Sequence, residues 1–224
     1  MTEFASGYSA LFFDGSNPEL AKKAGDFVTH IHSTKIRTGN SLERLIHEDL
    51  VGNSTYTVYE KKKLEDFSGL TLPCVIKKCI FPKTFYEAHG QACKNKTKVE
   101  VDFVVLMPGK IHIIEMKSGC DFDTKKSKGE VQSLVATKNA CLASCLVTEA
   151  ETHIVCYDAK TKSDIVIKTD HEGVEMNTYE EIAEKMGLPD PIESKSRIKL
   201  KQQAVAKSTL EALAAFVSEM KELL

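Results

Sequence analysis

Two apolar segments joined by a short turn constrain this chain more than any other feature. Residues 99–107 and 110–117 are rich in valine, isoleucine and other residues that favour strands, and Pro108-Gly109 between them is a typical turn sequence. Both faces of the predicted hairpin are apolar, and a strand pair that is apolar on both faces is a buried one. We therefore expect the hairpin to lie inside a sheet that other elements cover.

Charged residues at the far end of the hairpin are predicted to meet. If Met107 pairs with Lys110 across the turn, Asp102 falls directly opposite Glu115, where Cβ atoms are about 4.5–5.5 Å apart. Lys117 lies two residues beyond Glu115 and therefore points to the same face. Two neighbouring carboxylates repel each other, and a divalent cation relieves that repulsion. Oxygen ligands favour Mg²⁺, with Mn²⁺ as a substitute.

These residue types suit the hydrolysis of a phosphodiester bond. A bound divalent ion polarises a phosphoryl oxygen and activates water. A neighbouring lysine such as Lys117 can orient the water, help to deprotonate it, or stabilise charge on the phosphate. The alternative is that Asp102, Glu115 and Lys117 form a structural ion-pair cluster at the end of the sheet.

The motif resembles that of a known family. Val101-Asp102, followed after twelve residues by Glu115-Met116-Lys117, resembles the PD-(D/E)XK nuclease superfamily, which includes type II restriction endonucleases. A valine stands where the family has proline. The acid-x-lysine pattern recurs elsewhere in the chain, for example at Asp158-Ala159-Lys160, so only its strand context makes the 115–117 copy informative.

The resemblance implies further members of the site. Asp102, Glu115 and the backbone carbonyl of Met116 would hold the metal ion. Glu43, on the first helix, would assist the ion through water. Gln132, on the helix after the motif, would reach the site.

The resemblance also implies an α/β fold, with a central mixed sheet flanked by helices. The family core is a helix, a three-strand meander, a helix and a further strand, and the chain offers that order between about residues 40 and 158. Periodicity and turn residues predict helices at 17–31, 40–51, 128–146, 178–187 and 203–223. They predict further strands at 55–60, 73–81, 152–158 and 164–168, and a loop at 84–98 that carries Lys94, Lys96 and Lys98.

Four basic residues near the end of the chain alternate with uncharged ones. If the segment is extended, Lys195, Arg197, Lys199 and Lys201 all face one way and could contact phosphates or guanine edges. The alternative is a solvated edge strand protected by its charges.

Length and composition limit the domain organisation, the partners and the cellular location of the protein. The length of 224 residues suits a single domain over 1–224, with 159–224 supplying DNA-recognition and dimerisation elements. The net charge is −2, so a nucleic-acid partner requires basic groups gathered on one face. Seven scattered cysteines, no secretory leader and no apolar run of about 20 residues indicate an intracellular protein, cytoplasmic or nuclear, without a membrane partner. Cys74, Cys79, His89 and Cys93 lack zinc-knuckle spacing and are expected to be core or incidental residues.

We therefore expect a Mg²⁺-dependent endonuclease that cuts double-stranded DNA at specific sequences, as type II restriction enzymes do. A homodimer would suit this function, because cutting both strands usually requires two active sites. One alternative is a structure-specific repair or junction-resolving nuclease. A second alternative is a non-catalytic nucleic-acid-binding domain that keeps a charged relic of the site.

Overall fold

A computed structural model shows how the elements are arranged. It describes residues 18–53, 55–63, 68–92, 98–117, 119–120, 124–166, 171–188 and 191–223. The contacts divide the chain into two compact units. Unit 1 contains the first helix up to Leu45 and the last helix from Ile192, whereas unit 2 spans Ile46–Pro191 and holds the sheet.

Unit 2 is built on six strands. They are β1 (Thr57–Glu60), β2 (Cys74–Pro82), β3 (Lys98–Met107), β4 (Lys110–Lys117), β5 (Glu149–Cys156) and β6 (Glu175–Thr178). The strands lie in sequence order across the sheet. The β2–β3 and β3–β4 pairs are antiparallel, and the other three pairs are parallel.

The helices are α1 (Pro18–Asn53), α2 (Lys83–Ala88), α3 (Thr124–Ala143), α4 (Tyr179–Met186) and α5 (Pro191–Leu223). The antiparallel meander β2–β3–β4 is followed by α3 and then by β5, which is parallel to β4. The predicted α/β class, with a mixed sheet flanked by helices, is therefore confirmed. The order is compatible with a restriction-endonuclease-like core.

The predicted hairpin register is confirmed between Met107↔Lys110 and Phe103↔Ile114. Gly109 has a φ of +74°, a conformation that a turn requires and that glycine adopts without steric cost. Residues 103–106 of β3 and 111–114 of β4 are buried, as their apolar sequences predict, whereas Asp102 and Glu115 are partly buried.

Both faces of this sheet are covered within unit 2. On one face, apolar residues of α2 and α3 join a core with the strands; they include Phe85, Tyr86, Val131 and Leu134. On the other face, residues of the end of α1 and of α4 surround the same strands; they include Ile46, Leu50, Tyr179 and Ile182. The hairpin is consequently a central layer between helices.

The regular pairing between β2 and β3 is interrupted at one pair of residues. The β2–β3 pairs run from Cys74↔Leu106 to Pro82↔Lys98 but skip Lys78 and Asp102. Lys78 has a φ of +55°, which is unusual for a residue with a side chain. The alternation of side chains between the two faces shifts by one residue here on both strands. Ile76 and Cys79 of β2 both belong to the core beneath α3, and so do Val101 and Val104 of β3. In an unbroken strand, residues three positions apart would face opposite sides. Such an irregularity redirects a side chain at the cost of a ladder pair.

In unit 1, the first part of α1 contacts α5. The rings of Phe27 and Phe216 stack with centroids 4.7 Å apart, and Lys23 Nζ lies 3.0 Å from Glu219 Oε2. None of the described helices combines the length and the continuous apolar character that a bilayer crossing needs.

Three local predictions were wrong in the helices and loops. Helices predicted at 17–31 and 40–51 are one continuous helix, α1, because a single glycine costs about 1 kcal/mol and does not by itself end a helix. The 84–98 loop begins with α2 and ends with the first residue of β3, while Lys94 and Lys96 lie outside the described residues. The last helix begins at Pro191, twelve residues earlier than predicted.

The strand predicted at 164–168 was also wrong. Residues Lys162–Asp164 form a 3₁₀ turn, in which the Asp164 carboxylate accepts hydrogen bonds from the backbone N–H groups of Lys160 and Thr161. Residues 167–168 lie outside the described part of the chain. The sixth strand forms later, at Glu175–Thr178.

Thr178 offers a test of how the sheet passes into α4. Its side-chain oxygen accepts a hydrogen bond from the Glu181 N–H, and the Glu181 carboxylate accepts one from the Thr178 N–H. We expect Thr178→Ala to lower the free energy of unfolding by about 1 kcal/mol, as loss of an N-cap does. Chemical denaturation followed by circular dichroism would measure this change. Thr178→Ser keeps the oxygen and should lose less; an equal loss in both variants would contradict the capping role.

Candidate active site

Asp102 lies where β3 separates from β4. Its Oδ2 accepts a hydrogen bond from the backbone N–H of Met116 at 2.9 Å, and its Oδ1 accepts one from Lys78 Nζ at 3.1 Å. The regular β3–β4 pairs end at Phe103↔Ile114. The carboxylate thus satisfies a β4 backbone donor beyond the last of those pairs.

Glu115 and Lys117 share one face of β4. Lys117 Nζ donates to Glu115 Oε1 at 2.8 Å and to Glu130 Oε1, on α3, at 2.9 Å. Ile111 and Ile113, which have the same alternation as Glu115, belong to the core beneath α3. The charged pair therefore extends the α3-facing side of the strand.

The structure brings Asp102, Glu115 and Lys117 together, as the hairpin register predicted. Burial raises the pKa of Glu115 to about 7; the Asp102 carboxylate adds to the rise, and Lys117 opposes it. Burial alone would lower the pKa of Lys117, but its contacts with Glu115 and Glu130 raise it overall. At neutral pH Lys117 is therefore a cation, whereas Glu115 is close to its titration midpoint.

The charge balance bears on whether these residues suit a metal ion. Four carboxylates (Glu100, Asp102, Glu115 and Glu130) are linked by ion pairs to three lysines, Lys78, Lys98 and Lys117. The surplus of one negative charge is consistent with the raised pKa of Glu115, where a proton supplies the missing positive charge. The carboxylates offer only oxygen atoms, which is the type of ligand that hard cations such as Mg²⁺ prefer.

Two contacts of this cluster were not predicted. Glu130 holds Lys117 from α3, and Lys78 holds Asp102 from β2. The sequence contains one indication that Lys78 has a polar partner, since Lys77 and Lys78 are consecutive charged residues inside an otherwise apolar segment. Glu130 carries no such signal, because its contact depends on how α3 packs.

Of the remaining predicted site residues, Gln132 and Glu43 lie on helices, whereas Met116 is on β4. Gln132 is on α3 with an exposed side chain, two residues beyond Glu130. Glu43 is on the part of α1 that belongs to unit 1, and its side chain is half-buried. The roles of Gln132, Glu43 and the Met116 carbonyl stay predictions.

The prediction that the four basic residues near the end of the chain lie on an extended segment was wrong. Lys195, Arg197, Lys199 and Lys201 all lie within α5, where positions two residues apart are about 200° apart around the axis. They therefore do not form one row. Lys199 is exposed and Arg197 half-buried, while the side chains of Lys195 and Lys201 lie outside the described residues. Alternation of charge alone does not distinguish a strand from a solvated helix that is rich in lysine and glutamine.

Comparison with known proteins gives one distant relative. The chain is similar to the type II restriction enzyme HhaII of Haemophilus parahaemolyticus, with 29% identity over 131 residues. The aligned region covers 58% of this chain and 53% of HhaII, so the chain matches about half the length of that enzyme. No family model matches the chain, and no solved structure does.

The raised pKa of Glu115 predicts a pH-dependent stability in the presence of a chelator. The folded protein holds this proton more tightly than the unfolded chain does, so the contribution of Glu115 to wild-type stability should fall as the pH rises from about 4.5 to about 7. Glu115→Gln removes this loss, and we expect the variant to gain up to about 3 kcal/mol over wild type by pH 8. Urea unfolding at several pH values would measure the gain. Glu149→Gln, which removes an exposed carboxylate from β5, is the control; identical pH profiles for wild type and Glu115→Gln would contradict the assignment.

Proposed function

We propose that this protein is a Mg²⁺-dependent endonuclease that hydrolyses phosphodiester bonds in double-stranded DNA. The observation that carries the proposal is the cluster in which Asp102 and Glu115 meet, with Lys117 hydrogen-bonded to Glu115. The similarity to HhaII supports a restriction-type, sequence-specific enzyme rather than a structure-specific repair nuclease. The complete charged set also favours an enzyme over a binding domain that has lost its activity.

In this proposal the chain supplies a set of oxygen ligands. Asp102, Glu115 and the Met116 carbonyl would hold the ion. When bound, Mg²⁺ supplies polarisation of the phosphate and a lowered pKa for water. Mn²⁺ would serve as a substitute, because it accepts the same ligands.

Lys117 supplies a fixed positive charge. Its raised pKa favours two of the roles considered for it, which are to orient the attacking water and to stabilise negative charge on the phosphate. Acting as the base would require the ammonium group to lose a proton first. Glu130 restrains this ammonium group from α3 and is a positioning residue.

A second copy of the chain is the partner we propose for α5. Among the described side chains of α5, four large apolar ones are exposed, Leu200, Leu210, Leu213 and Val217. They provide apolar surface that pairing of two copies could bury. A dimer would also supply one active site for each DNA strand.

Removal of the Glu115 carboxylate tests the catalytic assignment. We expect Glu115→Ala to lower the rate of plasmid cleavage in Mg²⁺ by more than about 100-fold, since even outer-shell partners of metal ligands cost about 10–100-fold when lost. Binding of a labelled duplex in chelator should persist, because phosphate contacts do not need this carboxylate. Glu149→Gln should cleave like wild type. Wild-type cleavage by Glu115→Ala would refute the site, and wild-type cleavage in chelator would refute the metal dependence.

The basic residues of α5 can be tested separately. If Lys199 contacts a phosphate, Lys199→Ala should reduce the salt dependence of binding by about 0.9 in the log–log slope. If Arg197 reads a guanine edge, Arg197→Ala should reduce the preference for the correct sequence by about 1–3 kcal/mol. Lys207→Ala, which changes another exposed lysine of α5, is the control. Unchanged affinity, slope and preference in the first two variants would remove α5 from the DNA interface.

A further inference from the structure

Two histidines and a glutamate meet on the sheet face opposite Glu115 and Lys117. His112 lies on β4, and Glu151 and His153 lie on the neighbouring parallel strand β5. Both rings are almost completely buried, with 2% and 0% of their side-chain surface exposed, whereas Glu151 is 27% exposed. The cluster is therefore internal but open towards solvent at its carboxylate.

Three atoms of this cluster form a nearly equilateral triangle. His112 Nδ1 lies 3.1 Å from His153 Nε2 and 3.3 Å from Glu151 Oε2, and the latter two atoms are 3.5 Å apart. A tetrahedral zinc ion with bonds of about 2.0–2.1 Å separates its ligands by about 3.3 Å. The triangle therefore has the size of one face of a zinc coordination shell.

We propose that His112, His153 and Glu151 form a binding site for a zinc ion, separate from the site proposed for Mg²⁺. Two imidazoles and one carboxylate are a ligand set that zinc accepts with a fourth position left open. The Asp102–Glu115 set offers only oxygen atoms, which suit Mg²⁺. The two faces of β4 would thus select different ions.

The electrostatic surroundings are compatible with a cation. Both rings are neutral at physiological pH, since burial lowers the pKa of His112 and of His153 to about 4, and zinc binds the neutral ring. Charged groups around the cluster are Lys110, Lys185, Glu149 and Glu175. With Glu151, the carboxylates outnumber the lysines by one. Lys110 donates to Glu151 Oε1, and Lys185 donates to Oε2; each carboxylate oxygen has a second lone pair.

The other ring nitrogen of His153, Nδ1, also has polar groups within reach. Asn177 Nδ2 lies 3.1 Å from His153 Nδ1, and Glu175 Oε2 lies 3.5 Å from the same atom. If zinc binds Nε2, the ring proton resides on Nδ1, where Glu175 or the rotated Asn177 amide can accept it. Such an acceptor behind a ligating histidine fixes its tautomer and orientation.

Direct titration with zinc tests the site. Full-length protein, first treated with chelator and kept reduced, would be titrated with ZnCl₂ and, separately, with MgCl₂ by calorimetry. We expect one zinc per chain at this site, a raised melting temperature, and no competition from millimolar Mg²⁺. His112→Gln and Glu151→Gln should each weaken zinc binding by at least about 10-fold. Glu175→Gln, which removes a neighbouring carboxylate outside the triangle, should weaken it less.

Cobalt substitution identifies the ligands. A tetrahedral Co²⁺ site with nitrogen and oxygen ligands shows visible d–d bands without the thiolate charge-transfer band that cysteine ligands produce. We expect the d–d bands in wild type, and their loss in His112→Gln. Circular dichroism would confirm that the variants are folded.

Several results would overturn the proposal. Absence of saturable zinc binding would leave the three residues as a hydrogen-bonded cluster only. Equal zinc affinity in wild type, His112→Gln and Glu151→Gln would place the ion elsewhere. Glu115→Gln, on the opposite face, should retain zinc binding, so failure of the nuclease proposal and failure of this one are distinguishable.

Discussion

The hydrogen bond from the Met116 N–H to the Asp102 carboxylate is the contact on which the candidate site depends. It occurs where the regular β3–β4 pairing has ended, so a side chain serves a backbone donor that would otherwise need another partner. The same interaction fixes one carboxylate beside a second, on Glu115. Without the interruption at Lys78 and Asp102, the side chain at residue 102 would have to follow the alternation of an unbroken strand.

Placing like charges together in a partly buried position has a cost, and the surrounding residues reduce it. Lys78 contacts Asp102, and Lys117 contacts both Glu115 and Glu130. The compensation is incomplete, because the carboxylates in these ion pairs outnumber the lysines by one. A cluster intended only for stability would gain from complete neutralisation or from apolar replacement. The residual charge therefore supports a functional interpretation.

The sequence predicted the interactions that depend on local register, and it did not predict those that depend on packing over longer distances. The two-residue turn sets the β3–β4 register as far as Phe103↔Ile114, and counting one residue further places Asp102 near Glu115. Glu130 and Lys78 come from other elements, and no pattern within their own segments specifies their partners. His112 meets His153 because β4 and β5, which α3 separates along the chain, are paired in parallel in the sheet. The basic residues of α5 show the converse error, in which a period of two was assigned to a segment that forms a helix.

The end of the sheet shows how one residue can serve two elements. Thr178 is the last residue of β6, where it pairs with Cys156, and it is also the N-cap of α4. No loop separates the strand from the helix, so a slip of β6 by one residue would remove the cap and turn its inward side chains outward. β6 is an edge strand, and edge strands are where proteins are most exposed to mispairing with other chains. The direct strand-to-helix junction therefore fixes the register of β6, because any slip along β5 would lose the cap of α4 together with the strand pairing.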